Sequence, residues 1–217
     1  GRERVASLRG TVAVRSEDGR AVRRVDVSGF LSEFPSGERA ADFSTERAAW
    51  RPAGRPLLVA QADFDASWIH ALMGEFRRAL VLLEKGRAVF VRGRDSVMVA
   101  TIDLDRGETL LLLNRPGEAE TALGLAHAVF RRQKMPIEAG RALTLLAEAA
   151  ADRGDTGLAS RRIVTAIRGL ERAGQAGAAA RAHLARARIG LARERLPEAR
   201  AACSEAALLF IALGFHS

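Results

Sequence analysis

Few side chains in this chain of 217 residues have the types and spacing that chemistry requires. The single cysteine, Cys203, lies in the alanine-rich run 201–206, where a small buried thiol is the expected state. Asp103 and Asp105 alternate along one predicted helix, and we interpret them as part of its charged surface. Four histidines lie in different predicted elements, without an HExxH pair: His70, His127, His183 and His216. We therefore predict no catalytic residues, no metal site and no cofactor.

Arginines offer a different chemistry, because a guanidinium group can bind a carboxylate through two parallel hydrogen bonds. The spacing i, i+3, i+7 places three side chains on one face of each of two predicted helices. These sets are Arg141, Thr144 and Glu148, and Arg181, Leu184 and Arg188. Matching offsets earlier in the chain hold a more apolar set, which is Phe64, Trp68, Leu104 and Glu108. The pattern predicts a groove that is apolar at one end and mostly cationic at the other; the alternative is that these arginines are merely solvated.

An internal repeat of 40 residues supplies the elements that must position these side chains. Four segments align when the sequence is offset by 40, and their alanines form an uninterrupted column: Ala79, Ala119, Ala159 and Ala199. A second small column follows seven residues later: Gly86, Ala126, Ala166 and Ala206. A large apolar column follows eleven residues after the first: Phe90, Phe130, Leu170 and Phe210. Steps of 7 and 11 return to nearly the same side of an α-helix, so the three columns form one buried stripe.

Each repeat is predicted to be a pair of antiparallel helices joined by a short turn. A further small column lies twelve residues before the first, on the preceding helix: Ser67, Gly107, Ala147 and Ala187. The first helices are placed near 57–72, 95–113, 137–152 and 176–193, and the second helices near 75–91, 117–133, 155–172 and 197–213. Gly, Asn and Pro residues punctuate the turns between them. The repeats then run near 57–93, 94–134, 135–174 and 175–214.

These columns and turns resemble the tetratricopeptide repeat (TPR), although its usual unit is 34 residues rather than 40. The segment 113–123 is similar to arrays attached to bacterial CHAT-type peptidases and to multidomain transcriptional regulators. The resemblance implies an all-α fold, a right-handed α-solenoid of about four helix pairs. It also implies a non-catalytic scaffold or sensing module of a bacterial regulatory or effector system. Such a module binds a protein or peptide in the concave groove lined by the first helices, and the groove residues favour an acidic or amphipathic one. Gating a CHAT-type peptidase domain and sensing an effector for a transcriptional regulator are its two alternatives. The lysine–asparagine carboxylate clamp of chaperone-binding TPR domains is not matched here.

Residues 1–56 do not share the pattern, and we predict a separate N-terminal segment before the repeat domain 57–217. Apolar and polar residues alternate over 11–15 and 21–27 around an Asp18–Gly19 turn, which predicts a β-hairpin. The stretch 37–50 is typical of a helix. A flexible segment, a small folded unit and a decayed fifth repeat all fit this composition.

The net charge of +8 is a weak guide to partners. Only Lys85 and Lys134 are lysines among 34 basic residues, tyrosine is absent, and the arginines are dispersed. A nucleic-acid surface concentrates both basic types and interleaves aromatic rings, so we predict no nucleic-acid partner. No apolar run approaches the 18 residues of a membrane span, and we expect a cytoplasmic chain without a membrane partner. The apolar side of the last helix, with Leu208 and Ile211, predicts self-association, a neighbouring domain or a partner at that end.

Overall fold

The computed structural model describes residues 11–15, 22–26 and 56–214. The chain divides into two compact units, 1–42 and 43–217. In the first unit, strands β1 (Thr11–Arg15) and β2 (Val22–Asp26) pair antiparallel with Thr11 opposite Asp26, as the alternation predicts. The predicted Asp18–Gly19 turn and the predicted helix over 37–50 lie outside the described residues. The boundary near residue 56 stays a prediction.

Eight helices of equal length fill the described part of the second unit. Each has 17 residues, and each begins 20 residues after the one before it. The first helices of the four pairs are α1 (Pro56–Leu72), α3 (Ser96–Leu112), α5 (Pro136–Asp152) and α7 (Ala176–Ala192). The second helices are α2 (Phe76–Arg92), α4 (Pro116–Arg132), α6 (Thr156–Arg172) and α8 (Leu196–Ala212). The all-α repeat array over 56–214 is as predicted, and its 40-residue period comes from long helices rather than from long connections.

Every connection between these helices is a turn of three residues with the same conformation. Its middle residue has a positive φ, whether it is a glycine such as Gly74 or a larger residue such as Arg94. The Arg94 amide donates to the Val91 carbonyl and the Asp95 amide donates to the Phe90 carbonyl, which is the Schellman pattern that ends a helix. The Asp95 carboxylate then accepts from the Met98 amide and caps the next helix. In this turn, the amides of Arg94 and Asp95 end one helix, and the Asp95 side chain caps the start of the next.

The predicted columns are the interior of the array. All members of the two small columns on the second helices are buried, as are the small residues on the first helices. The large column is buried at Phe90, Phe130 and Leu170 and half-buried at Phe210. Small side chains let the backbones of paired helices approach, and the large ring or leucine fills the space between successive pairs. The column assignment from the sequence is therefore confirmed.

One ionic contact lies inside the array, where the sequence suggested a charged surface. The Asp103 side chain is only 2% exposed. Arg87 donates two hydrogen bonds to its carboxylate, from Nε to Oδ1 at 2.7 Å and from Nη2 to Oδ2 at 2.9 Å. Arg106 adds a longer contact to the same carboxylate at 3.5 Å. The interpretation of Asp103 as a surface residue was wrong, because its position on α3 turns it toward α2 rather than toward solvent. The pair ties the first repeat to the second.

The outer side of α8 carries exposed apolar side chains, as expected from its sequence. Leu208 and Ile211 are both more than half exposed, while Phe210 is half-buried. The corresponding positions one repeat earlier are Arg168 and Glu171, which are exposed as well. These positions therefore face solvent within the array too, and the last helix differs by placing apolar residues there. Self-association through this surface stays a prediction.

Candidate functional site

One cavity opens between three of the first helices. It has a volume of about 340 Å³, at the small end of the range for ligand pockets. Helices α3, α5 and α7 supply its lining, because α3 lies against α5 and α5 lies against α7. The lining consists of Glu108, Arg141, Thr144, Leu145, Glu148, Ala178, Arg181, Leu184, Ala185 and Arg188. We call this space the groove cavity.

Seven of the ten residues that the sequence placed in a groove line this one cavity. Leu104 does not, and its assignment to the groove wall was wrong, since it is 1% exposed and packs in the core between repeats. Phe64 and Trp68 lie on α1, outside the lining, and Phe64 packs against a core cluster of the first two repeats. The structure therefore gathers Glu108 of the second repeat with the predicted residues of the third and fourth repeats, and it leaves out Leu104 and the two residues of the first repeat.

Two of the three groove arginines are already paired with groove glutamates. Arg181 on α7 donates from Nη2 to Oε1 of Glu108 on α3 at 2.8 Å, so this contact passes over α5. Arg188 donates from Nη1 to Oε1 of Glu148 at 2.5 Å. The wall therefore has mixed charge, with three arginines and two glutamates, and the carboxylates offset two of the guanidinium groups.

The remaining polar and apolar lining residues complete the surface. The Thr144 hydroxyl donates to the Gly140 carbonyl of its own helix at 2.9 Å, so it is not free to bind a ligand as a donor. Leu184 is 42% exposed and faces the cavity together with buried Leu145 and Ala185. The sequence reading missed Ala178, and it also missed Leu145 and Ala185. Both immediately follow a predicted groove residue, and Leu145 also lies four residues after Arg141, the spacing of neighbours on a helix face.

Two carboxyl groups near the cavity hold their protons more tightly than usual. Burial raises the pKa of Asp105 to about 6, with a further contribution from the nearby Glu108 charge and an opposing one from Arg141. Burial also raises the pKa of Glu148, and the Arg188 charge opposes that rise. The charge of this part of the array therefore changes in mildly acidic solution.

We expect Asp105→Asn to stabilise the protein at pH 7.5 by about 1–2 kcal/mol. The folded state binds the Asp105 proton below pH 6, whereas the unfolded chain binds it only near 3.8, so stability falls as pH rises through this window. Asparagine carries no such proton and removes that fall. Urea unfolding at pH 7.5 and at pH 3.5 measures the difference. An equal effect of the substitution at both pH values would contradict the assignment.

The other candidates for chemistry take ordinary positions. Cys203 is exposed on α8, so the expected buried thiol was wrong. The His70 ring contacts Glu75 at 2.7 Å in the turn that follows α1. Within 11–15, 22–26 and 56–214, histidine, cysteine, aspartate and glutamate do not gather into a group of three that could hold a metal ion. No helix in the same ranges has the length and hydropathy of a membrane span.

Comparison with solved structures shows the same arrangement in repeat proteins. A putative kinesin light chain with TPR-like repeats from Podosopora anserina is 12% identical, with a TM-score of 0.67, covering 86% of this chain and 92% of that one. The fold is TPR-like. BtubC (BKLC) from P. vanneervenii is 17% identical, with a TM-score of 0.66 over 88% of this chain and 80% of its own. Aspartyl phosphate phosphatase F from Bacillus subtilis is 14% identical, with a TM-score of 0.65 over 73% of this chain and 42% of its own.

Sequence comparison adds one family match outside the TPR-like array. Residues 1–50 match the model of the ABC_ATPase P-loop domain. This segment contains no lysine, so it lacks the lysine with which a P-loop reaches the phosphates of a nucleotide. No curated protein matches the chain significantly.

Proposed function

We propose that this chain is a non-catalytic scaffold that binds a protein or peptide segment in the groove cavity. The convergence of seven groove residues from α3, α5 and α7 on one open cavity supports this proposal most directly. Its lining combines arginines, glutamates and leucines, so it offers both charged and apolar contacts to an amphipathic segment. The TPR-like fold presents these residues from consecutive first helices, on one side of a repeat array.

A peptide array tests this proposal with a matched pair of triple variants. Random 12-residue peptides are screened against the protein, and the binders are measured by fluorescence polarisation. Reversing Arg141, Arg181 and Arg188 to glutamate is expected to weaken the selected acidic peptides at least tenfold, because the groove loses every cation. The control reverses three exposed arginines of the outer helix α6, which are Arg161, Arg168 and Arg172.

The control has the same net charge as the groove variant, but its three substitutions lie outside the groove cavity. Its affinity for the selected peptides is therefore expected to stay within about threefold of the wild-type value. Circular dichroism verifies that both variants stay helical. Equal losses in the two variants would assign the binding to overall charge, and unchanged binding in both would remove the groove from the proposal.

A second candidate function has support from the family match over residues 1–50. Here the array senses an effector for a larger regulator that contains a nucleotide-binding domain, in line with the resemblance to transcriptional regulators. The coding sequence of the whole gene tests it, since a GxxxxGK[ST] motif in the same reading frame is required. Gating of a CHAT-type peptidase stays a prediction from the sequence alone.

A further inference from the structure

The three arginines of the groove cavity differ in what already occupies them. Arg181 and Arg188 each donate to a glutamate of the cavity, at 2.8 and 2.5 Å. Arg141 makes no hydrogen bond or ion pair with any residue in the described ranges, and its charge acts on Asp105 only at longer range. A ligand can therefore reach the donors of Arg141 without first breaking a bond inside the protein.

The charges that line the cavity do not cancel. Three arginines stand against two glutamates, and the pairing leaves Arg141 as the uncompensated cation of the lining. A carboxylate is the group that matches a free guanidinium fork, since two parallel N–H donors meet two oxygens. Arg141 is half-buried, and partial burial strengthens such a contact because charges interact more strongly away from bulk water.

Apolar surface lies in the same cavity as Arg141. Leu145 is one helical turn away on α5, and Leu184 on α7 is 42% exposed although it is a large apolar side chain. Covering Leu184 removes apolar area from water and favours a ligand that brings its own apolar group. A volume of about 340 Å³ admits a few such groups, not a long segment.

We infer that Arg141 anchors one acidic side chain of a bound peptide, while a neighbouring large apolar side chain of that peptide covers Leu184. This inference rests on the proposed function and refines it, because it assigns the anchoring role to one arginine and gives Arg181 and Arg188 no direct part. The ligand is an internal Leu–Glu type of segment. A free chain terminus or a small fatty acid carries the same chemistry, and the test separates these sources.

Fluorescein-labelled peptides with both ends blocked provide the probe. Each contains one Leu–Glu pair in a glycine–serine background, and matched peptides replace Glu with Gln or Leu with Ala. The wild-type protein is expected to prefer the Leu–Glu peptide over the Gln peptide by at least about tenfold, the ratio typical of a charged hydrogen bond. It is also expected to prefer the Leu–Glu peptide over the Ala peptide, because alanine leaves Leu184 uncovered. Arg141→Gln is expected to abolish the preference for Glu over Gln and to keep the preference for Leu over Ala.

Three control variants test whether the anchor is specific. Arg181→Gln and Arg188→Gln remove the paired arginines in the same chemical way, and each is expected to lower the Glu preference less than Arg141→Gln does, because each already donates to a glutamate of the cavity. Arg168→Gln on the outer helix α6 lies outside the cavity and is expected to leave the preference unchanged. If any of the three lowers it as much as Arg141→Gln does, the assignment of the anchor is wrong while the groove proposal stands. If instead the triple reversal above leaves binding intact, the proposed function itself fails.

The source of the carboxylate is tested in the same assay. Binding only of peptides with a free C-terminal carboxylate, or complete competition by octanoate at the concentration of the peptide, would overturn the inference of an internal segment. Equal binding of blocked and free forms, with octanoate ineffective at that concentration, supports it.

Discussion

Arg87→Met is expected to lower the free energy of unfolding by about 3–5 kcal/mol, because it leaves a buried carboxylate without its main partner. Asp103 is almost fully inside the array, and both of its oxygens accept from Arg87. The same hydrogen bonds raise the pKa of Arg87 above its ordinary value. Methionine fills a similar volume but donates nothing, and Arg106 at 3.5 Å is too distant to replace the lost contacts.

Urea unfolding followed by circular dichroism measures this loss, and two further variants define its cause. Arg87→Met combined with Asp103→Leu removes both charges and is expected to recover most of the stability, since an apolar pair of similar size tolerates burial. Arg115→Met breaks an exposed pair with Glu118 and is expected to cost less than about 1 kcal/mol. Similar losses for Arg87→Met and Arg115→Met would show that the buried pair has no special weight.

Gly107→Ala is expected to destabilise the protein by about 1–3 kcal/mol through a steric clash. A β-carbon at this position would lie 2.4 Å from Cγ of Leu123 and 2.5 Å from its Cδ2, well inside contact distance. Gly107 belongs to the small column of the first helices, and Leu123 is fully buried in the paired helix α4. Leucine there cannot withdraw without disturbing the core between the second and third repeats.

The matched control is another glycine in the middle of a helix of the same pair. Gly124 in α4 has nothing within 4 Å of an added β-carbon, so Gly124→Ala is expected to raise stability by about 0.5–1 kcal/mol through helix propensity. Thermal melts of the two variants are therefore expected to shift in opposite directions. A shift of Gly107→Ala in the same direction as Gly124→Ala would contradict the role of the small column.

The sequence predicted the parts of this fold that burial controls. Positions such as Ala119 and Phe130 face a neighbouring helix in every repeat, and burial there permits only small or only large apolar side chains. The same residue type therefore recurs every 40 residues and can be recognised as a column in the sequence. The predicted first helix 57–72 differs by one residue from α1. Helix ends could be predicted nearly as well, because glycine, asparagine and proline mark the turns.

The exposure of a side chain and its long-range partners depend on neighbouring helices, which the position within a repeat does not reveal. Leu104, Thr144 and Leu184 occupy the same position in successive repeats, yet they are 1%, 8% and 42% exposed. The next first helix packs against each of the first two, α5 against α3 and α7 against α5. The pairing of Arg181 with Glu108 joins residues 73 apart, and the sequence showed only that both lie on groove-facing sides.

The uniform 17-residue helices and three-residue turns bear on how such a chain can change in evolution. Because each 40-residue unit ends with the same backbone conformation with which the previous one ended, a unit can be duplicated or lost by recombination without shifting the phase of any other. The number of units can then change without any change in the sequence of the units that remain. A lineage can lengthen or shorten the array in whole steps, and a change of length brings a different set of side chains to the same face.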